Sequence, residues 1–194
     1  MMLASILFRI LKEQNMTKIL FLVLSTVLVL SDFAVPTVKA PAGRIAIIAD
    51  GKSPDPDDLG GTAISIALLR AVGLGDRLVH YSHSCDLVRV NRISEAAEYE
   101  RHAMMQTACD GTARRWKGFE QLTFFDVKWQ LDETIKDLCK AINASTADDP
   151  LWIVEAGEPD IIGFALDATP KEKHRYVKVL THHPANDNAG DFYA

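Results

Sequence analysis

Apolar runs typical of buried strands alternate along this chain with apolar stripes typical of helices. The strand-like runs are short and mostly apolar, as expected for strands covered on both faces of a parallel sheet. They lie at residues 44–49, 77–81, 122–126, 151–154 and 176–180. Between them, apolar residues recur at three- and four-residue steps, which predicts helices. These lie at residues 59–72, 94–109, 131–142 and 161–166. The alternation indicates an α/β fold with a mostly parallel sheet.

Two of the helices carry more detailed predictions. The predicted core face of the first consists of Ile64, Ala67, Leu68 and Ala71. We expect this face to pack on the sheet, because its members are spaced at helical steps. Ser94 precedes the second helix, where a hydroxyl can accept a hydrogen bond from the first turn, and it is the predicted N-cap. Residues 110–117 are predicted to form a turn after that helix.

The most informative polar stretch follows the first strand. Its aspartates are Asp50, Asp55, Asp57 and Asp58. Carboxylates crowded between a strand end and a helix N-terminus repel one another, although the helix dipole favours them. A hard cation such as Ca²⁺ relieves that repulsion by taking several carboxylate oxygens. The alternative is a polar turn in which Asp57 or Asp58 caps the helix. Four aspartates exceed what capping needs, which favours a metal or ligand site, where a neighbouring aspartate can take a proton from a metal-bound water molecule.

Polar clusters also follow the other predicted strands. They lie at residues 82–86, 126, 155–160 and 182–191. Ligands of parallel sheets bind outside the carboxyl ends of the strands, so these clusters predict a site at that edge. His83 is either a sugar-binding side chain or a hydrogen-bonded structural histidine. His182 and His183 are either metal ligands or structural residues.

The N-terminal residues are typical of a secretory signal peptide, which we assign to residues 1–40, with Met16 as an alternative start. Lys18 precedes an apolar segment over residues 19–30, and Ala40 ends a sequence suited to cleavage. An uncleaved membrane anchor is the alternative. Cleavage predicts a secreted or periplasmic domain over residues 41–194, without a stable membrane span.

Charge and cysteine content restrict the classes of function. The chain has 26 acidic and 21 basic residues, which argues against a nucleic-acid-binding protein. Cys85, Cys109 and Cys139 have no zinc-site spacing, so we expect buried thiols or one disulfide without a catalytic role. The G-x-S-x-G nucleophile elbow and the Walker A motif are both absent from the sequence.

The acidic stretch also resembles a known family. The segment Asp50-Gly-Lys-Ser-Pro-Asp55-Pro-Asp57-Asp58, between a strand and an Ala/Leu-rich helix, is similar to the D-x-D-P-G-x-D-D motif of the inosine–uridine nucleoside hydrolase superfamily. It is closer to the looser motif of its divergent, exported members. Residues 151–160 resemble a second strand and turn of that superfamily, and residues 186–192 weakly resemble its sugar-binding segment.

The resemblance implies a Rossmann-like core with helices on both faces of the sheet. It also implies a Ca²⁺ ion at the strand ends and hydrolysis of an N-glycosidic or other glycosidic bond in a sugar or nucleoside. By position, the implied metal ligands are Asp50, Asp57 and Asp58, with Asp50 and Asp55 acting in catalysis. The implied substrate contacts are Ser82, His83, Glu155, Asn186 and Asp187. Assembly into a homo-oligomer is also common in this family.

Two features depart from the family pattern. Lys52 occupies the position of the family's second aspartate, and Asp55 comes three residues later. Asp55 therefore either replaces that aspartate or leaves the site without its base. In addition, the family's last metal-binding and proton-donating residues lie beyond the segment that resembles residues 186–192. The alternatives to a hydrolase are therefore a non-catalytic carbohydrate-binding protein and an inactive, truncated fragment.

Overall fold

The structure is a computed structural model that describes residues 39–51, 56–85, 87 and 94–193. The chain divides into two compact units, Met1–Pro41 and Ala42–Ala194. Only residues 39–41 of the first unit are described, so the expected signal peptide lies almost entirely outside the described residues. None of the helices in the described part has the length and hydropathy of a membrane span.

The second unit is built on a five-stranded sheet in which every pair of neighbouring strands is parallel. The strands are β1 (Arg44–Ala49), β2 (Leu78–His83), β3 (Phe124–Asp126), β4 (Leu151–Ala156) and β5 (Val177–Thr181). Their order is β3-β2-β1-β4-β5, so β1 is central and the chain builds outward from it in both directions. This order is Rossmann-like, and the predicted fold class is confirmed.

Helices follow the strands as the sequence pattern predicts. They are α1 (Pro56–Ala71), α2 (Glu95–Trp116), α3 (Leu131–Asn143), α4 (Asp160–Asp167) and α5 (Lys171–His174). Short 3-10 helices lie at Gly75–Arg77 and Asn186–Asn188. The described helices lie on both faces of the sheet, because the two hydrophobic clusters of the core draw on different pairs of them.

One hydrophobic cluster joins the sheet to α3 and α4. Ala46 and Ile48 of β1 pack there with Leu138 of α3 and Ile161 of α4. The other cluster joins the opposite face to α1 and α2, through Ile47 and Ala49 of β1, Ile66 of α1 and Cys109 of α2. Alternate residues of β1 therefore serve opposite faces, as the two-residue period of a strand requires.

The predicted core face of α1 is wrong. Ile64 and Leu68 are 59% and 56% exposed, whereas Ile66 is fully buried. The helix is apolar on more than one side, so its spacing pattern does not distinguish the inner face from the outer one. Burial is decided by the direction in which α1 leaves β1, and that direction turns Ile66 and Thr62 inward.

The N-cap of α2 is confirmed, but its predicted end is wrong. The Ser94 hydroxyl accepts a hydrogen bond from the backbone N–H of Ala97 at 3.2 Å. The helix continues through the predicted turn at residues 110–117 and ends at Trp116. Arg114 and Arg115 lie in its last turn, where basic side chains interact favourably with the helix dipole.

The three cysteines are thiols that form no disulfide with one another, and Cys85 and Cys109 are buried. Of the two predicted states, buried thiols or one disulfide, the structure shows thiols. Burial raises the pKa of Cys109 above its usual range, which keeps this thiol protonated and unreactive.

Candidate functional site

The carboxyl ends of β1 and β4 adjoin at the point where the strand order reverses, which is where ligands of open α/β sheets bind. Backbone contacts hold the two strand ends close together. The N–H of Asp50 donates to the carbonyl of Ala156 at 3.1 Å. A Cβ atom on Gly157 would lie 2.7 Å from Cβ of Asp50 and 2.6 Å from Sγ of Cys85. Only glycine fits here, and its absence of a side chain lets the Asp50 backbone approach β4.

A cavity of about 520 Å³ lies beside these two strand ends. Asp50, Asp57, Asp58 and His182 are among its lining residues. Tyr81 and Thr62 also line it, and the Tyr81 hydroxyl donates to Oγ1 of Thr62 at 2.9 Å. Three carboxylates that the sequence placed around one loop therefore share a single cavity with a histidine from the end of β5.

The start of α1 positions two of these carboxylates. The helix begins at Pro56, three residues before the predicted start. Proline suits the first helical position, because its fixed φ is helical and its missing N–H would be unpaired there anyway. Asp57 and Asp58 consequently lie in the first helical turn, where the dipole favours negative charge. Lys52 and Asp55 fall outside the described residues, so the predicted base stays a prediction.

Carboxylate oxygens are suitable ligands for a hard cation, and the chain has two places that offer them. Asp50, Asp57 and Asp58 line the cavity. Among the described residues, one group of three acidic or histidine side chains brings its ligand atoms within 4.8 Å of one another. It consists of Glu158, Asp160 and Asp191. Asp50, Asp57 and Asp58 therefore line one cavity, but their carboxylate oxygens are not gathered as closely as the ligand atoms of Glu158, Asp160 and Asp191.

Asp160 in that second group already has a structural role. Its carboxylate is fully buried and accepts three backbone hydrogen bonds of 2.9–3.0 Å. The donors are the N–H groups of Asp191, Phe192 and Tyr193. This carboxylate anchors the last described residues to the start of α4, so the group does not need an ion to account for its geometry.

Glu155 lies in β4, next to His182 and Asp187. Its side chain is 4% exposed, and Oε1 has no hydrogen-bond partner among the described residues. Burial raises the pKa of Glu155 and the Asp187 carboxylate adds to this, while His182 opposes it. The Asn186 amide lies 2.8 Å from Nδ1 of His182. The structure thus brings together three of the five predicted substrate contacts: Glu155, Asn186 and Asp187.

Ser82 and His83, the other two predicted contacts, lie inside β2 and are fully buried. The Ser82 hydroxyl lies 3.2 Å from Nε2 of His80, and the other ring nitrogen of His80 lies 2.9 Å from the Asp137 carboxylate. This serine–histidine–aspartate chain has the connectivity of a catalytic triad, but its hydroxyl is buried and does not line the cavity. It is therefore a structural network that links β2 to α3.

His83 is held in the same way. Nδ1 lies 3.0 Å from the Ser84 hydroxyl, and Nε2 lies 2.9 Å from the Gln106 amide oxygen. Burial lowers the pKa of His83, which favours the neutral ring. The sequence left His83 as either a sugar-binding side chain or a hydrogen-bonded structural histidine, and this geometry is that of the structural histidine.

The sequence did not predict the hydrogen-bonded pair of His102 and Asp126. Nδ1 of His102 lies 2.9 and 2.8 Å from the two carboxylate oxygens of Asp126, and both side chains are buried. The position of Asp126 at a strand end was a usable signal. Its partner lies 24 residues earlier in the middle of α2, and no spacing rule connects the two.

Comparison with known proteins provides one relative. The chain is 85% identical over 160 residues to "Uncharacterized protein P22" of Formosa agariphila. The match covers 82% of this chain and 59% of the relative, so the chain spans less than two thirds of that protein's length. No protein-family model and no solved structure matches the chain.

Proposed function

We propose that this chain forms a divalent-cation-dependent hydrolase domain that acts on N-glycosidic or other glycosidic bonds, as in the nucleoside hydrolase superfamily. The observation that carries the proposal is the shared cavity of Asp50, Asp57, Asp58 and His182 at the switch point of the sheet. Export to the periplasm or the medium is part of the same proposal and rests on the sequence of residues 1–40.

In this proposal the aspartates at the end of β1 and the start of α1 hold the cation. A bound Ca²⁺ would lower the pKa of a coordinated water molecule and orient it. Asp50 directly follows β1, and Asp57 and Asp58 lie in the first turn of α1, so two elements of the fold bring the proposed ligands to one cavity. Asp55 is the proposed proton acceptor for that water, on the basis of the sequence.

His182 is the proposed hydrogen-bond donor to the leaving group. With the Asn186 amide nitrogen donating to Nδ1 of His182, the neutral ring carries its proton on Nε2. His182 lines the cavity, so this N–H can stabilise a leaving group. Glu155 lies behind it with a raised pKa and holds its proton to higher pH than an ordinary glutamate. Asp187 and Asn186 remain the proposed sugar contacts.

Titration calorimetry with Ca²⁺ on the chelator-stripped protein tests the metal claim. We expect binding heat for the native chain and its loss in Asp50→Asn and in the double variant Asp57→Asn/Asp58→Asn. Asp148→Asn is the matched control, because Asp148 is exposed and precedes β4 at the other end of the sheet. Absence of binding heat, together with a melting temperature unchanged by EDTA, would contradict the proposal.

Hydrolysis of inosine, uridine and p-nitrophenyl glycosides tests the reaction. We expect release of base or nitrophenol by the calcium-loaded protein and a large loss of rate in Asp50→Asn. A non-catalytic carbohydrate-binding protein is the second candidate, favoured by Lys52 at the position where the family has an aspartate. Ca²⁺ binding with sugar binding but without turnover of any of these substrates would decide for that candidate.

A further inference from the structure

Two exposed aromatic side chains lie side by side at the far end of the sheet from β5. Tyr99 in α2 is 66% exposed, and Trp129, just after β3, is 60% exposed. Their ring centroids are 6.3 Å apart, with an angle of 56° between the ring planes. Both line a cavity of about 430 Å³. Exposed aromatic rings are costly to hydrate, so a pair of them at a concave surface indicates a ligand.

The cavity is anchored by the turn that follows β3. The N–H groups of Trp129 and Gln130 both donate to the carbonyl of Asp126, at 3.2 and 2.9 Å. The Asp126 N–H in turn donates to the side-chain oxygen of Gln130 at 3.2 Å. Trp129 therefore projects from a turn that three hydrogen bonds hold in place.

A buried polar side chain also lines this cavity. His102 is 5% exposed, and its ring centroid lies 5.8 Å from that of Trp129. Because Nδ1 faces the Asp126 carboxylate, the neutral ring carries its proton on Nδ1 and presents a lone pair on Nε2. Among the described residues, Nε2 of His102 has no hydrogen-bond partner. The amide nitrogen of Gln130, another lining residue, is likewise without one in that part of the chain.

We propose that this cavity binds a neutral sugar ring, at a site separate from the cavity of Asp50, Asp57 and Asp58. The apolar face of a pyranose stacks on Trp129 and Tyr99. One sugar hydroxyl donates to Nε2 of His102, and another accepts from the Gln130 amide. An apolar lining with a few polar groups that fix orientation is the usual composition of a small-molecule site.

The surrounding charges favour a neutral ligand over an ionic one. Both carboxylate oxygens of Asp126 are already engaged by His102, and Oδ1 also accepts the backbone N–H of Lys128 at 3.0 Å. The Lys128 ammonium lies 3.3 Å from the Glu98 carboxylate. Neither charge is available to a cation or an anion in the cavity, whereas hydroxyl groups need only the two neutral partners.

The site is independent of the proposed hydrolase activity. Asp126 ends β3 and Asp50 follows β1, with β2 between them, so the two cavities are separated by roughly 10 Å of sheet. Neither cavity shares a lining residue with the other. Loss of sugar binding here would leave cation binding at Asp50 intact, and failure of the cation site would leave this one intact.

Tryptophan fluorescence and saturation-transfer NMR of the full chain test the proposal, with the methyl glycosides of glucose, galactose and mannose as probes. We expect millimolar binding of at least one glycoside, with saturation strongest on the ring protons of one face. Trp129→Ala and Tyr99→Ala should each raise the Kd by about tenfold or more, because each removes a stacking surface. Trp129→Phe should retain most of the affinity.

Trp116→Ala is the matched control, since Trp116 is 44% exposed but lies at the other end of α2. It should leave the Kd unchanged, and an unchanged melting temperature in Trp129→Ala excludes a folding defect. The proposal is overturned if none of the three glycosides binds, or if Trp116→Ala weakens binding as much as Trp129→Ala. It is also overturned if tetramethylammonium binds more tightly than every glycoside.

Discussion

The two sides of the carboxyl edge treat their polar side chains differently. On the side of β2 and β3, histidines are buried against definite partners, as in His80 with Asp137 and His102 with Asp126. On the side of β1, β4 and β5, carboxylates gather around an open cavity, and Oε1 of Glu155 is buried without a partner among the described residues. We call these the paired side and the acidic side.

The difference separates buried polar networks that support the fold from the carboxylates to which we assign the proposed hydrolysis. A buried polar network with its partners in place makes the sheet rigid and specifies one arrangement of the chain. Carboxylates held close together repel one another, which costs stability, and such groups are typical of sites that bind or react. The acidic side is therefore where we place the proposed chemistry, and the paired side is the frame that holds it.

The largest effect is expected from Asp160, whose carboxylate accepts three backbone hydrogen bonds. Asp160→Asn removes the charge from three backbone hydrogen bonds, so we expect a loss of about 3 kcal/mol in urea denaturation. Amide exchange should accelerate at Asp191, Phe192 and Tyr193. As a control, Asp167→Asn weakens one exposed bond to the Tyr193 hydroxyl and should cost less than about 1 kcal/mol. Equal losses in the two variants would show that the Asp160 carboxylate does not anchor residues 191–193.

Gly157→Ala tests the contact between β4 and Asp50. A Cβ there would meet the Asp50 backbone nitrogen at 2.8 Å, so the strand ends must separate. We expect a loss of about 3 kcal/mol in thermal or urea unfolding, with weaker Ca²⁺ binding. Gly60→Ala is the matched variant, because a Cβ on Gly60 meets nothing within 4 Å. It should stabilise α1 by about 0.5–1 kcal/mol. A tolerated Gly157→Ala would contradict the close approach.

A pair of equivalent substitutions compares the two sides directly. Asp126→Asn on the paired side weakens the buried contact with His102, and we expect a loss of about 2 kcal/mol. Asp50→Asn on the acidic side removes a repelling charge, so without Ca²⁺ it should change the free energy of unfolding by less than about 0.5 kcal/mol. Urea denaturation in EDTA measures both. Similar losses would mean that the two sides do not differ.

The smallest effect concerns pH. Because the pKa of Glu155 is raised in the folded protein, its carboxyl group stays protonated in the folded state at a pH where it is already ionised in the unfolded state. Stability from this group is therefore greatest at low pH and falls as the pH rises. Glu155→Gln should abolish that part of the loss, which begins as the pH rises above the ordinary glutamate pKa of 4.5. Identical pH profiles for the two proteins would show that Glu155 titrates normally.

The order of strands and helices followed from the sequence because apolar spacing reflects local geometry. The positions of Ser82 and His83 did not, because both look like residues of a polar loop. His83 contacts Gln106 of α2, and Ser82 contacts His80 of its own strand, whose ring is held by Asp137 of α3. The contacts with Gln106 and Asp137 form only when the strand is packed against α2 and α3. Polar residues in a buried strand are stabilised by tertiary contacts, and a pattern of hydrophobicity cannot contain those contacts.

The candidate site shows the same limit. Asp50, Asp57 and Asp58 lie within nine residues, so their convergence was predictable from the chain itself. His182 reaches the same cavity from the end of β5, and its contribution depends on the sheet order. Tyr99 and Trp129 are separated by 30 residues and belong to different elements, so no motif joins them. Sites built within one loop can be predicted from spacing, and sites built between elements require the fold.

The central position of β1 has a consequence for how the chain is made. This strand is the first of the sheet to be synthesised, yet it pairs with β4, and Arg44 bonds to Asp149 across 105 residues. At ribosomal rates, roughly 5–20 s pass between the two segments. Until β4 emerges, one edge of β1 has no native partner. The nascent domain therefore stays incompletely folded through most of its synthesis, and holdase chaperones have a long interval in which to bind it.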